Sequence, residues 1–441
     1  MSCYKKTHVR FFTLLAAALF IALIAACQSG GNQNAVNDAQ PETKAPAEEQ
    51  PQEVELNVFS TSNWSQEQFD ERFGNALGVK FPHFKLNYIT GMTYEELLTS
   101  GEQVDIVWES LAAYASAREF KIQHDMSDLI KQLQVDLSRI NPAYISSMET
   151  LGDGKMIGLP VLSNGLGLYY NKSIFDRFGV PYPTDQMTFD EVLELSRQLT
   201  RQDDGDTYIG LSLGWPNHYF RLNSFSAPYV DMSSETTAIR SDTNWSVILN
   251  LFNEVASIPL YKEFVTNEQR FIENASFFKD RNVAMVATLV NTHMKEDTTD
   301  LDWDMVTFPT FREAPGVGPQ PSPTIFGIAS TSNHKREVME VIQFLISDEF
   351  QLGVSRSGTV PVVQTSEIVN AFGQDTIYKD KNLKAVFHDE IATISNKSKY
   401  DSAVEKIVIE QLVPLATGEI DLNTAIRTIE EQGNAAIESM K

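Results

Sequence analysis

The stretch Leu159–Phe175, "LPVLSNGLGLYYNKSIF", restricts the fold more than any other part of the chain. Two apolar runs, each suited to a buried strand, flank Ser163, Asn164 and Gly165, and a helix signal follows at once. A plain surface turn would fold the two runs into a hairpin. The alternative is a crossing point, where the chain leaves one folded body and enters another. Unbroken apolar residues on both sides and the lack of a nearby pairing partner favour the crossing. A chain of 441 residues also exceeds what one hydrophobic core usually organises, so two bodies are expected.

From Val54 onward strands and helices alternate. "VELNVFS", "FKLNYIT" and "VDIVWES" read as strands, with "TSNWSQEQFDERF" and "TYEELLTS" as helical segments between them. This order implies βαβ units and a mainly parallel sheet, with ligands beyond the carboxyl ends of the strands. Asn63 and Trp64 follow the first strand; Trp108, Glu109 and Ser110 close the third. Both tryptophans also fit a core, and Glu109 also fits a carboxylate facing a helix start. The middle of the chain reads as a second α/β body. Thr188 and Glu191 form a capping box before the stripe Phe189, Val192, Leu195 and Leu199. "RNVAMVATL" and "WDMVTFPT" suit buried strands, "TIFGIAS" precedes a helix from about Lys335, and "AIRTIEEQGNAAIESM" is a last amphipathic helix.

The N-terminus reads as a targeting segment. Lys5, Lys6 and Arg10 precede an apolar run, Phe11–Ala26, that is short for a membrane span. "LIAAC" at its end resembles a bacterial lipobox, which would make residues 1–26 a signal peptide and Cys27 an acylated anchor in the membrane. An ordinary signal peptide with an incidental Cys27 is the simpler alternative. Residues 27–53 have the composition of a disordered tether. Cys3 is the only other cysteine, so no disulfide is expected in the processed chain.

Charge and motifs narrow the function. A formal net charge of −24 repels phosphate backbones, so nucleic acid is not an expected partner. Gly210, Ser212 and Gly214 match the G-x-S-x-G pattern of a nucleophile elbow, the one sign of a secreted serine hydrolase. Only a very short strand is expected before Ser212, and Pro216 falls where the elbow requires a helix. No two of the seven histidines have zinc-ligand spacing, and "DDGD" at 203–206 lacks the rest of a calcium loop, so neither metal nor cofactor is expected.

Three segments together carry a family resemblance: "VDIVWES", the region from "DGKMIGLPVLSNGLGLYYNKSIF" to "LELSRQLT", and "FGIASTSNHKREVMEVIQFLISDEFQLGVSRSGTVPV". In this order the chain resembles the extracellular solute-binding proteins of ABC importers, in the cluster of maltose- and oligosaccharide-binding proteins. The resemblance implies a two-lobed α/β fold, each lobe a mainly parallel sheet flanked by helices, joined by three hinge crossings. Residues 54–163 and 328–366 would form the N-terminal lobe, and 167–325 and 370–441 the C-terminal lobe. The hinges would be Ser163, Asn164 and Gly165; a second around Phe326 and Gly327; and a third near residues 364–373. The implied ligand residues are Asn63, Trp64, Trp108, Glu109, Ser110, Trp215, Asn217, Tyr219 and Asn291. Aromatic planes suit the C–H face of a sugar, and amides and carboxylates suit its hydroxyls. Trp245 and Trp303 are expected in the core. The implied protein is a monomeric, lipid-anchored, non-enzymatic binder on the outer face of the cytoplasmic membrane. It would capture a carbohydrate and deliver it to permease subunits; a polyamine is the alternative solute, favoured by the acidic surface.

Overall fold

The computed structural model describes residues 53–387 and 390–441. The targeting run, Cys27 and the tether to residue 52 lie outside the described residues. Among the described residues no helix is long and apolar enough to cross a membrane.

Two five-stranded sheets carry two separate cores. The first sheet orders its strands Phe84–Ile89, Val54–Phe59, Ile106–Ser110, Thr324–Ile328 and Leu159–Leu162. The second orders Trp303–Thr307, Leu166–Asn171, Val283–Leu289, Asp206–Ser212 and Arg201–Asp203. The two-lobed α/β architecture is as expected, but the sheets are mixed rather than mainly parallel. In the first, Thr324–Ile328 runs antiparallel to both neighbours. In the second, Leu166–Asn171 does the same. Each is the strand that delivers the chain into its lobe from the other one. It starts where the parallel strands end, as Thr324 pairs with Ser110 and Leu166 with Leu289. A strand entering from the junction must run away from it, against strands that finish there.

The residues at the first crossing are paired, not loose. Asn164 and Ser322 exchange both backbone hydrogen bonds, at 3.0 and 2.9 Å, and Ser163 N–H donates to the Val360 carbonyl. The Asn164 side chain donates to Asn291 Oδ1 at 2.9 Å. The second crossing is earlier than the sequence suggested. Phe326 and Gly327 sit inside a strand, with Phe326 paired to Trp108 and Leu159. Gly327 is small for another reason: a Cβ there would strike the Tyr114 hydroxyl. The passage lies before Thr324, so residues 324–328 belong to the first lobe. In the third passage Val362, Val363 and Ile368 pack in the first core and Phe372 in the second. Trp245 and Trp303 are buried in the second core.

Candidate functional site

A groove of about 820 Å³ lies between the lobes, floored by the crossing residues Asn164, Pro321 and Ser322. Its first-lobe wall forms at the carboxyl ends of parallel strands, where Thr61, Asn63 and Ser110 emerge, and at Thr93 and Tyr94. Thr93 caps the helix Tyr94–Ser100 in a capping box with Glu96, which fixes the helix start at the groove.

Behind this wall Glu109 is almost fully buried. Alternation along the strand turns it away from Trp108 and toward Thr61 and Tyr94. Its Oε1 accepts from the Thr61 N–H at 2.5 Å and from the Tyr94 hydroxyl at 3.1 Å. Burial raises the Glu109 pKa, and those hydrogen bonds oppose the rise.

The second-lobe wall is a charged network. Arg221, from the short helix Pro216–Arg221, grips Glu405 with two parallel bonds of 2.6 and 2.5 Å. Tyr229 donates to the same carboxylate at 2.8 Å. Lys397 donates to Ser395 Oγ at 2.8 Å and to the Arg221 carbonyl at 3.4 Å, and Ser398 donates to Asp401 at 2.6 Å. Burial lowers the Lys397 pKa and raises that of Asp401. His218 also lines this wall; burial, with Arg221 and Lys295 nearby, pushes it down to about 4, so the ring is neutral.

The segment carrying Lys397 touches both lobes. Ile394 packs in the first core, while Ser395 N–H donates to Gln320 Oε1 at 2.7 Å. Gln320 is itself buried and donates to the Asn223 carbonyl of the second lobe. Lys399 then pairs with Glu119 of the first lobe at 3.2 Å.

A sequence model described as bacterial extracellular solute-binding protein matches residues 65–352, well over half of the chain. The chain belongs to this family. Membership places the protein outside the cytoplasm. Similar solved structures include a sugar transporter from Rhizobium etli in an open conformation, with a TM-score of 0.70 and 17% identity, covering 88% of this chain and 100% of that one. A cyclic alpha-maltosyl-1,6-maltose binding protein from Arthrobacter globiformis has a TM-score of 0.67 and 14% identity, covering 88% and 99%. An ABC substrate-binding protein from Listeria monocytogenes in complex with cycloalternan has a TM-score of 0.64 and 16% identity, covering 88% and 99%. At these identities the likeness is one of fold.

In this solute-binding protein the residues singled out from the sequence divide. Asn63 and Ser110 line the groove. Trp108 does not: it is 3% exposed and lies in the first core among Phe73, Phe326 and Trp64. Trp64 packs its ring edge-on to Trp108 and carries Arg72 over its face at 4.3 Å. Glu109 stands one layer behind the wall. Tyr219 is buried against Phe252 and Phe308, because Pro216 starts a helix instead of ending one and turns this ring inward. Trp215 and Asn217 flank that helix start outside the groove lining, with Trp215 exposed. Asn291 holds Asn164 at the crossing.

Ser212 is fully buried and donates to the Ile272 carbonyl at 2.6 Å, while Gly214 N–H donates to its oxygen. Gly210 has a packing cause, since a Cβ there would strike the Ser196 backbone. In "DDGD", Arg177 pairs with Asp203 and Asp204 beside a tight turn. Sequence reasoning missed Arg221, Lys397, Asp401 and Glu405. The only available signal was their spacing: Asp401 and Glu405 stand four positions apart at the start of one helix.

Proposed function

We propose that this protein is the lipid-anchored receptor of an ABC importer, that it binds a neutral oligosaccharide between its lobes, and that it delivers it to permease subunits without chemical change. The observation that carries the reading is the groove. It lies between two separately cored lobes, and both walls offer side-chain donors and acceptors to hydroxyl groups. About 820 Å³ stands toward the upper end of small-molecule pockets, which suits several sugar rings better than one. The cycloalternan and cyclic maltosyl-maltose proteins of the same fold take ligands of that kind. Ligand that touches both walls favours the closed arrangement by its differential affinity for it. The hydroxyl of Ser212 is buried and engaged, which supports binding without catalysis.

A thermal-shift screen tests the solute. A ligand at about 100 times its dissociation constant adds roughly 2.7 kcal/mol of stability. A shift with neutral oligosaccharides is expected. A shift with spermidine alone would transfer the groove to a cationic solute, and phosphonate labelling of Ser212 would reinstate the hydrolase. Fatty-acid labelling tests the anchor: it should be present in wild type and lost in Cys27→Ala.

A further inference from the structure

The geometry points to Lys397 and Asp401 as the pair that reads two adjacent hydroxyl groups of a neutral saccharide on the second-lobe wall. This rests on the reading of the groove as a saccharide site.

Glu405 is heavily engaged: one oxygen takes Arg221, and the other takes Arg221 and Tyr229. Lys397 has three N–H donors, and two are placed, on Ser395 and the Arg221 carbonyl. Asp401 Oδ1 accepts from Ser398, and Oδ2 has no protein donor among the described residues. Lys397 and Asp401 form no ion pair with each other there, although both line the groove. One donor and one acceptor without a protein partner among the described residues therefore belong to two residues that line the same groove.

Adjacent sugar hydroxyls need that combination. One oxygen accepts from the ammonium, and the neighbouring O–H donates to the carboxylate. Burial lowers the Lys397 pKa and raises that of Asp401, so each charged form lacks compensation that hydroxyl partners would supply.

Charge bears on the ligand class. Arg221 is matched by Glu405, and Lys397 by Asp401, so the wall is neutral as a whole. The facing wall adds Glu95, while the Glu96 carboxylate accepts from Thr93 N–H. A uronic acid chain would meet the carboxylates of Glu95 and Glu96, which no cation of the lining matches, and a polyamine would find no net negative charge on the second-lobe wall. A neutral chain meets no such repulsion and needs no countercharge.

Calorimetric titration of wild type, Lys397→Gln and Asp401→Asn tests the pair. The probes are maltotriose, mannotriose, cellotriose, trigalacturonic acid and spermidine, with a ligand-free melt for each protein. For the neutral trisaccharide that binds wild type, each substitution should weaken binding roughly ten- to hundredfold, the loss of a hydrogen bond to a charged group. The double variant should lose less than the product of the two, because both groups hold one diol. If Lys397→Gln loses its ligand-free melt, Asp401→Asn keeps the test open, since its amide retains the acceptor for Ser398. Unchanged affinity in both variants overturns the assignment and leaves the saccharide reading standing. Tighter binding of trigalacturonic acid or spermidine overturns the ligand class. Binding of none of the five overturns both.

Discussion

Replacing Trp108 by alanine separates a core role from a ligand role. The ring is 3% exposed and contacts Trp64 at 5.5 Å, Phe73 at 5.6 Å, Phe326 at 6.1 Å, and Phe69 and Tyr88 at 6.2 Å between centroids. A buried tryptophan removes about 200 Å² from water. At ~25 cal/mol per Å² this is ~5 kcal/mol. The unfolded chain already hides part of that area, and measured truncations of large aromatics cost about 3–5 kcal/mol. No hydrogen bond offsets or adds to the loss, because Nε1 is buried without a partner among the described residues. Each kcal/mol lowers the melting temperature by roughly 2–4 °C for a unit of 150–250 residues, so a fall of at least about 6 °C is expected. Trp215→Ala is the internal control: its ring is 40% exposed, so the melt should move by less than about 2 °C. The assay is a thermal melt beside a titration with a bound saccharide, below the transition. Trp108→Ala should keep its affinity within about threefold. An unchanged melt with lost binding would refute the placement of this ring in the core.

Three further outcomes follow from the same geometry. Asn164→Ala removes the bond to Asn291 and the acceptor for Gly165 N–H, so it should cost about 1–3 kcal/mol and alter ligand-induced compaction in small-angle scattering; no change in either measurement rejects the pairing as a constraint. Gln320→Ala strips the Ser395 N–H and the Asn223 carbonyl of buried partners, and hydrogen exchange should show faster opening around residues 394–398 than in wild type, whereas unchanged protection argues against the tie. His293, buried against Trp303 and Tyr378, has its pKa pushed down to about 4 by burial, so between roughly pH 6.5 and 4 the unfolded chain binds the extra proton and stability falls with pH, by up to about 3 kcal/mol; denaturant titrations across that window should show a shallower slope for His293→Gln, and identical slopes would contradict the assignment.

The fold was legible wherever local chemistry and tertiary context agree. The capping box at Thr188 lies where Thr-x-x-Glu is written, and it opens a helix. The polar break at 163–165 does separate two sheets. Strand direction was not legible, because an apolar run reads the same both ways. Direction depends on where the chain enters the sheet, a property of the three passages together. Gly327 shows the same limit. A glycine in a strand suggests a bend, but here it answers the hydroxyl of Tyr114, a residue far away in sequence.

The groove was legible as a place and not as a set of side chains. Strand ends located Asn63 and Ser110, since the carboxyl edge of a parallel array faces the cleft in any such lobe. Composition then misled: aromatic residues near those ends suggested stacking planes, yet alternation sends Trp108 into the core and its neighbour Glu109 behind the wall. The charged wall was invisible for a different reason. Arg221 and Glu405 stand 184 positions apart in the sequence. Only the return of the chain after residue 390 brings Lys397, Asp401 and Glu405 against the helix that holds Arg221. Once they meet, the wall is nearly neutral within a chain of net charge −24. At physiological ionic strength the field of distant surface charges decays over about 8 Å, so recognition in the groove is decided by these few groups and not by the acidic surface that first suggested a cationic solute.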